Sequence, residues 1–326
     1  MTLRQPPEWA PHDRVWIGFP SHEEEWPGVI DAARREVAAF ANAVHAGGAG
    51  ETVHLVAADA PSAEAARALV EDGVVVEQKP FGDIWLRDTG PIIIGQGAAR
   101  QARDFGFNCW GGKFELPGDN EIGGLLANSI GMPPLRCDWV FEGGAIDTDG
   151  TGLVVTTEQC LLNPNRNADL SRADIEARLA AELGLDRVLW LGDGLVNDHT
   201  DGHVDNLARF VGENLLALPV PAGDDDPNIA IYADARTRAE AFGVQVVGIP
   251  SPGRLERGGE VIPASYMNFY IGNAAVVVPV YGAPNDDAAI AAFAELFPGR
   301  KVVGQRADHI LTGGGSFHCI SQQVPA

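Results

Sequence analysis

The sequence lacks the long apolar runs of a membrane protein. None of its 326 residues falls in a window that approaches the roughly 18 apolar residues needed to cross a bilayer. The opening residues, MTLRQPPEWAPHD, also lack the apolar core of about 7–15 residues that a secretory signal carries. We therefore expect a soluble, cytoplasmic protein that does not act at a membrane.

Basic residues are also scarce. The chain has 23 Lys and Arg against 45 Asp and Glu, which gives a formal net charge of −22 at pH 7. Nucleic acids and anionic membranes are bound through basic patches, so this balance opposes both as partners. An acidic surface can simply maintain solubility, or it can attract a small cationic substrate.

Cysteine is rare and never paired in a C-x-x-C pattern. The four cysteines are Cys109, Cys137, Cys160 and Cys319. This spacing predicts neither a disulfide framework nor a structural zinc site. In a reducing cytoplasm each is expected to be a free thiol, which leaves packing or chemistry as its role.

Short apolar segments alternate with amphipathic segments along the chain, which predicts an α/β fold. Candidate strands are residues 14–19, 52–57, 91–94, 152–156, 187–191, 215–218, 244–249 and 275–280. Candidate helices are residues 31–46, 62–71, 171–183, 228–241 and 286–296. The rhythm recurs about five times, although the repeats share too little sequence to establish symmetry. We predict one domain of repeated units spanning residues 1–326.

Two segments place charges beside glycine or at the entrance of a strand. The first, DIWLRDTGP, carries Asp83, Trp85, Arg87 and Asp88 directly before an apolar strand, where charges are costly to bury without partners. The second, FEGGA, places Glu142 before two glycines that allow the backbone to approach closely. Each is also compatible with an ordinary turn.

A polar segment, NDHTDGHVDN at residues 197–206, is the best candidate for proton transfer. His203 has the side chain suited to general acid/base chemistry near neutral pH. Asp205 follows two residues later, so both side chains would face one way on an extended strand. Metal binding and a structural polar loop remain alternatives. His199 and His203 are four residues apart, but the glutamate of H-E-x-x-H is missing and a glycine interrupts the turn.

The C-terminal segment TGGGSFHCI provides a candidate nucleophile. Three glycines allow close backbone approach to a ligand, and Cys319 follows directly after them. A buried thiol with no chemical role is the alternative for Cys319, and it is our interpretation of the other three cysteines. A phosphate-binding loop is disfavoured because no Lys-Ser/Thr pair follows the glycines.

Taken together, these segments resemble the agmatine deiminase family, which is peptidyl-arginine deiminase-like and belongs to the pentein superfamily of guanidine-modifying enzymes. The resemblance rests on WLRDTGP, DFGFNCWGG, EGG, NPNRN, GHVDN and GGGSFHC, which occur in this order through most of the chain. It implies a pentein α/β propeller, with five ββαβ-type units around a pseudo-fivefold axis and a central active site.

The resemblance also implies roles for individual residues. Cys319 would be the nucleophile, His203 the general acid/base, and Glu142 the residue that orients His203. The substrate-binding residues would be Asp88, Asp205, Trp85, Asp198, His199 and Gly315. The implied reaction converts agmatine and water to N-carbamoylputrescine and ammonia through a covalent Cys-thiouronium intermediate. It uses no metal or organic cofactor, and the enzyme could form a homodimer.

His199 departs from the family pattern. Agmatine-specific relatives usually carry an acid four residues before the catalytic histidine, where it pairs with the distal amine of the substrate. An imidazole does not offer the same negative charge, so Asp198 could substitute or the substrate could be another guanidino compound such as free arginine. Two further alternatives are a metal-dependent hydrolase that uses the Asp198–Asp205 cluster and a guanidinium-binding protein without turnover.

Overall fold

Short strands joined by helices make up residues 3–326, the part of the chain that the computed structural model describes. The strands are β1 (His12–Gly18), β2 (Thr52–Ala57), β3 (Val75–Gln78), β4 (Ile92–Ile94), β5 (Gln101–Gly106), β6 (Leu135–Val140), β7 (Ile146–Thr148), β8 (Leu153–Thr157), β9 (Arg187–Leu191), β10 (Arg209–Gly212), β11 (Leu215–Val220), β12 (Gln245–Pro250), β13 (Glu256–Arg257), β14 (Glu260–Val261), β15 (Tyr270–Ile271), β16 (Ala275–Val280), β17 (Lys301–Arg306) and β18 (Ser321–Pro325). The α-helices are α1 (Ile30–His45), α2 (Ala60–Arg67), α3 (Leu86–Thr89), α4 (Cys109–Gly112), α5 (Ile122–Ser129), α6 (Glu158–Leu161), α7 (Pro164–Asn167), α8 (Arg172–Arg178), α9 (Ile229–Phe242) and α10 (Asp286–Leu296). The mixed α/β class predicted from the sequence is therefore confirmed.

The same pairing pattern recurs in five sheets. Their strand orders are β18-β1-β2-β3, β4-β5-β6, β7-β8-β9, β10-β11-β12 and β15-β16-β17. In each sheet the first pair is antiparallel and the second is parallel. A parallel pair needs a crossover connection, and a helical segment supplies it in all five cases. A small hairpin of β13 and β14 stands apart from this pattern.

Helix boundaries follow local backbone chemistry. Helix α1 ends where Ala46 adopts a left-handed conformation with φ of 50°. The helix predicted at 171–183 has the expected capping box between Ser171 and Asp174, and it ends at Gly184 with φ of 70°. Helix α2 starts earlier than predicted because the Asp59 carboxylate accepts the Ser62 amide proton at 2.7 Å.

The predicted extended conformation around His203 is wrong. Residues Val204–Asn206 form a 3₁₀ helix, and β10 begins only at Arg209. A 3₁₀ turn has three residues per turn, so the two-residue alternation used to place Asp205 beside His203 does not apply. Three other short 3₁₀ helices, at Glu23–Glu25, Gly143–Ala145 and Ile310–Gly313, carry further residues of the site described below.

The C-terminal strand belongs to the N-terminal sheet. Strand β18 pairs with β1 in an antiparallel register. Ser321, which lies two residues after Cys319, is opposite Ile17 in this pairing. Phe317 stacks on Phe40 of helix α1, with ring centroids 4.6 Å apart. Both side chains are fully buried, and burying an aromatic side chain of this size contributes roughly 1.5–3 kcal/mol. The loop that carries Cys319 is thus anchored on both sides.

Within residues 3–326 no helix is both long and apolar enough to traverse a lipid bilayer.

Candidate active site

The Cys319 thiol lies at the end of the glycine loop and is held by Asn268. The Asn268 side-chain amide donates to Cys319 Sγ at 3.0 Å. Its carbonyl oxygen accepts the backbone amide protons of His318 at 3.0 Å and of Cys319 at 3.2 Å. Because a donor at this distance stabilises a thiolate, Asn268 can assist a cysteine nucleophile.

Position 315 leaves little room for a side chain larger than that of glycine. A Cβ atom at this position would be 2.7 Å from Cζ3 of Trp85 and 3.0 Å from Cβ of Cys319. The first contact is too short for a side chain unless the indole shifts, and the second is tight, so glycine lets the loop pass between the indole and the thiol without displacing either. This geometry explains one glycine of the GGGS segment that the sequence singled out.

Asp88 is held in helix α3 by two donors. The Gly144 amide donates to Oδ1 at 2.9 Å, and the Trp110 indole donates to Oδ2 at 3.0 Å. The carboxyl is 6% exposed, and this burial raises the pKa of Asp88 to about 6 despite the nearby His203.

Three functional groups converge on one point beside Gly144. A Cβ atom on Gly144 would be 2.6 Å from His203 Nδ1, 2.8 Å from Asp88 Oδ1 and 3.1 Å from Asp205 Oδ2. The imidazole of His203, the carboxylate of Asp205 from the same segment and the carboxylate of Asp88 from a distant one therefore meet at one place. Asp205 Oδ2 is also 3.5 Å from Cys319 Sγ, which brings the thiol to the same group.

His203 is fully buried between acidic groups. Its Nδ1 lies 3.6 Å from Asp88 Oδ1, and Glu142 and Cys160 lie against the ring as well. Burial by itself lowers the pKa of His203, but the negative charge of Asp88, assisted by Cys160 and Glu142, raises it well above its usual range. The surrounding negative charge therefore favours the protonated form of the ring.

A buried ion pair supports Glu142. The Arg166 Nε donates to Glu142 Oε1 at 2.5 Å, and Arg166 also donates to Asp201 at 2.7 Å. Glu142, Cys160 and His203 each offer an atom that could bind a metal ion, all within 4.8 Å of one another. The guanidinium of Arg166 opposes a cation there because it places a positive charge against the same carboxylate.

His318 bridges two buried carboxylates behind the nucleophile. Its Nδ1 lies 2.7 Å from Asp205 Oδ2, and its Nε2 lies 2.8 Å from Glu8 Oε2. Burial raises the pKa of Asp205, but the hydrogen bond and charge of His318 outweigh it, and the net direction is downward. Asp205 is therefore an anion next to the thiol.

The surroundings of Cys319 disfavour the thiolate form of its side chain. Burial raises the pKa of Cys319 well above its ordinary range, and the neighbouring Asp205 and Asp88 carboxylates add to this. A positive charge placed between the thiol and these carboxylates would reverse the effect. A cation at this position would therefore favour the thiolate form of Cys319.

An acidic, aromatic cavity of about 140 Å³ opens over Cys319. Its carboxylates come from Glu24, Glu25, Asp83 and Asp88, and its aromatic walls from Trp85, Trp110 and Phe114. Of the described residues that line it, none is a lysine or an arginine, and His199 contributes the single imidazole. A cation with a short apolar chain matches this lining.

Asp198, a residue expected to bind substrate, is not among the residues that line this cavity, and neither are His203 and Asp205. Its Oδ1 accepts protons from the backbone amide and the hydroxyl of Thr200, at 2.9 and 2.6 Å. Its Oδ2 accepts from the Asn206 amide at 3.1 Å. The carboxylate therefore stabilises the turn that leads to His203, and it does not share a metal-binding cluster with Asp205.

Several residues of the site were not identified from the sequence. Asn268 lies in SYMNF, which carries no charge or glycine signal. Cys160 was interpreted as a packing residue, yet it lies against His203. Trp110 and Arg166 belong to the DFGFNCWGG and NPNRN segments, so the resemblance pointed to them without assigning a role.

Comparison with known proteins gives the family. The sequence pattern described as Porphyromonas-type peptidyl-arginine deiminase matches residues 4–325. The chain belongs to this family. A protein of Vibrio parahaemolyticus named as a candidate agmatine deiminase is 34% identical, and the match covers 98% of this chain and 96% of that protein. Deiminases are hydrolases of carbon–nitrogen bonds, and the chain is an enzyme of this kind.

Solved structures of deiminases superpose closely on this member of the family. An agmatine deiminase of Enterococcus faecalis has a TM-score of 0.93 at 29% identity, covering 99% of this chain and 96% of that one. A serine-for-cysteine variant of the Campylobacter jejuni agmatine deiminase, with substrate bound, has a TM-score of 0.92 at 28% identity, covering 100% and 97%. An amidinotransferase of Microseira wollei shares the fold, with a TM-score of 0.61 at 12% identity over 99% of this chain and 96% of that one.

Proposed function

We propose that the chain is a guanidine iminohydrolase that converts agmatine and water to N-carbamoylputrescine and ammonia through a covalent intermediate on Cys319. The observation that carries the proposal is the convergence of Asp88, His203 and Asp205 on the point beside Gly144, with the Cys319 thiol against Asp205. A planar cation with several N–H donors is the ligand that two carboxylates bind best.

Binding of the guanidinium prepares the attack. Its positive charge offsets the repulsion that Asp88 and Asp205 exert on a thiolate, so the pKa of Cys319 falls when substrate is bound. The thiol releases its proton to solvent, and the thiolate Sγ then adds to the central carbon. The carboxylates fix the plane of the guanidinium, and the Asn268 amide stabilises the sulfur.

Proton transfer by His203 completes both halves of the reaction. As an imidazolium it donates a proton to one nitrogen of the tetrahedral adduct, the C–N bond breaks, and ammonia leaves. The neutral ring then accepts a proton from water, whose oxygen adds to the carbon of the thiouronium. The C–S bond then breaks and the hydroxyl proton of the adduct passes to the sulfur, which releases the ureido product and regenerates the Cys319 thiol.

Relatives support this assignment. The Enterococcus faecalis protein is described as an agmatine deiminase catalysing its reaction, and the Campylobacter jejuni variant that lacks a cysteine holds substrate. A cysteine nucleophile explains why its replacement by serine would leave a substrate complex intact. The reaction itself requires no metal or organic cofactor.

We further propose that the five sheets are five ββαβ-type units arranged around a pseudo-fivefold axis, within one domain covering residues 1–326. The repeated pairing pattern supports this arrangement, because each unit has an antiparallel pair followed by a helical crossover to a parallel strand. The fold shared with the distant amidinotransferase also supports it.

A substrate panel and one substitution test the proposed function. We expect the wild-type enzyme to release ammonia from agmatine, and Cys319→Ala to lower the rate by more than about 10⁴-fold because no nucleophile remains. Quenching the wild-type reaction should reveal a covalent adduct by intact-protein mass spectrometry. Cys137→Ser, at a buried thiol in strand β6, is the matched control and should retain activity. Full turnover by Cys319→Ala would overturn the covalent mechanism.

A further inference from the structure

The outer part of the cavity contains carboxylates without cationic partners. Glu24 and Glu25 come from the 3₁₀ helix Glu23–Glu25, and Asp83 comes from the loop after strand β3. Within residues 3–326 none of the three forms an ion pair with lysine, arginine or histidine. Most other carboxylates of the site do have such partners, as Glu142 has Arg166 and Asp205 has His318.

Asp83 is the most constrained of the three. It is 4% exposed and lines the cavity, and its Oδ1 accepts the Ile84 backbone amide proton at 2.8 Å. Burial raises the pKa of Asp83 well above its usual range, and the charges of Glu25 and Asp119 raise it further. A buried carboxylate surrounded by other acids is destabilised until a cation approaches it.

Glu25 lines the same cavity, and its charge is one of the causes that raise the pKa of Asp83. It is partly exposed, and the pKa of its carboxyl is raised by burial and by the charge of Glu24. The charge of His22 opposes this rise without reversing it, and His22 Nε2 lies 3.3 Å from the Phe81 carbonyl oxygen. The protein itself thus leaves this acidic position largely uncompensated.

The rest of the cavity excludes an anionic tail. A substrate carboxylate would meet Glu24, Glu25 and Asp83 without a lysine or arginine among the lining residues to pair with. The ring of Phe114, which is 41% exposed, and the indole of Trp85 instead provide apolar walls suited to methylene groups.

We propose that Glu25 and Asp83, with Glu24 at the outer edge, bind the distal ammonium of a substrate whose tail is a short aminoalkyl chain. The inference rests on the proposed guanidine hydrolysis and assigns the tail specificity of that site. In this chain His199 provides no carboxylate, and the first turn after β1 provides the negative charge that selects a diamine-like tail over an amino-acid tail.

Three guanidines separate tail recognition from chemistry. Agmatine carries the distal amine, pentylguanidine replaces that amine with a methyl group, and arginine adds a carboxylate. For the wild-type enzyme we expect kcat/KM to be highest for agmatine and lowest for arginine. The variants to compare are Glu25→Gln and the double variant with Glu24→Gln, both conservative changes at positions that are partly or fully exposed.

We expect Glu25→Gln to lower kcat/KM for agmatine about five- to tenfold, chiefly through KM, and to leave pentylguanidine within about twofold. The double variant should show a larger fall in kcat/KM for agmatine. The ratio of its kcat/KM for agmatine to that for arginine should also be smaller than in the wild-type enzyme. Glu23→Gln is the matched control, since Glu23 lies in the same helix but does not line the cavity, and its hydrogen bond to the Gly28 amide can persist.

The tail assignment would be overturned if Glu25→Gln still released ammonia but its kcat/KM fell equally for agmatine and pentylguanidine, or fell for neither. If no guanidine released ammonia, the proposed reaction would fail instead. Calorimetric binding of agmatine and pentylguanidine to Cys319→Ala, with and without Glu25→Gln, would then still test the tail assignment.

Discussion

The inner and outer parts of the site are built differently. At the inner end Asp88 lines the cavity and converges on one point with His203 and Asp205, which are buried and do not line the cavity themselves. Asp88 and Asp205 have hydrogen-bond partners that fix their orientation. At the mouth Glu24 is exposed and Glu25 is partly exposed, and within residues 3–326 neither forms an ion pair. In the proposed function, the inner groups would hold the planar cation and the mouth would meet the variable part of the substrate.

This difference separates two kinds of requirement. Covalent chemistry needs atoms placed to within a fraction of an ångström, and only packed, hydrogen-bonded side chains provide that. Recognition of a flexible tail needs charge of the correct sign at roughly the correct distance, so exposed side chains suffice and effects are smaller. Substitutions at the two ends should therefore differ in both size and kinetic signature.

Among changes that leave the Cys319 thiol in place, the largest effect is expected from Gly144→Ala at the inner end. The added methyl would lie 2.6 Å from His203 Nδ1, so the imidazole or Asp88 must shift. A shift of about 1 Å costs on the order of 100-fold in kcat, whereas overpacking costs about 1–3 kcal/mol of stability. Steady-state ammonia release and thermal unfolding measure the two effects.

Gly124→Ala is the control for that experiment. Gly124 lies inside helix α5, where an added Cβ meets only ordinary contacts at 3.7 Å and beyond. Alanine is favoured over glycine in a helix, so activity should be unchanged. Wild-type kcat in Gly144→Ala would show that the convergence of the inner groups is not critical.

An intermediate effect is expected from acidic pH. The pKa of Asp88 is raised to about 6, so its carboxyl becomes neutral as the pH falls through that value and loses its attraction for the guanidinium. The value of kcat/KM should fall up to about tenfold per unit below pH 6, whereas agmatine stays cationic throughout. In Asp88→Asn, residual activity should be low and nearly independent of pH from 5 to 7.

Asp119 provides the control for this profile, because burial raises the pKa of Asp119 to about 6 as well. It accepts the backbone amide protons of Gly82 and Asp83 and does not line the cavity. In Asp119→Asn the value of kcat/KM should still fall below pH 6. If kcat/KM no longer fell below pH 6 in Asp119→Asn, or still fell in Asp88→Asn, the pH dependence would belong to a group other than Asp88.

The smallest effect is expected from Phe114→Ala at the mouth. Phe114 lies with its ring centroid 6.1 Å from that of Trp110, and it is half-exposed. Losing this apolar wall should raise KM for agmatine about fivefold and leave kcat unchanged, because the inner groups do not move. Leu125→Ala, an exposed apolar residue of α5 outside the cavity, should change neither constant.

The inner end could be predicted from the sequence because its chemistry concentrates in compact motifs. Cys319 follows three glycines, and His203 lies among acids, so each stood out in an otherwise apolar chain. The alternation of strands and helices could also be predicted, because short apolar segments alternate with amphipathic ones. Yet the expected strand at His203 is a 3₁₀ turn, since local hydrogen bonds from Asp198 and Thr200 shape that segment.

The mouth could not be predicted in the same way. Glu24 and Glu25 lie in an acidic run that is indistinguishable from a solvated surface, and only tertiary structure brings them to Asp83. Asn268 could not be identified from the sequence either, because one neutral amide among apolar residues forms no recognisable pattern. Its importance arises from three hydrogen bonds to residues some 50 positions away.

Pairing of β18 with β1 couples the nucleophile to the completion of the fold. Asp88, His203 and Asp205 come from segments between residues 88 and 205, whereas Cys319 and His318, which contacts Asp205, directly precede the last strand. With Cys319 as the proposed nucleophile, we expect a chain whose β18 is undocked to be inactive. Enzymatic turnover would then report that both ends of the described fold have been joined.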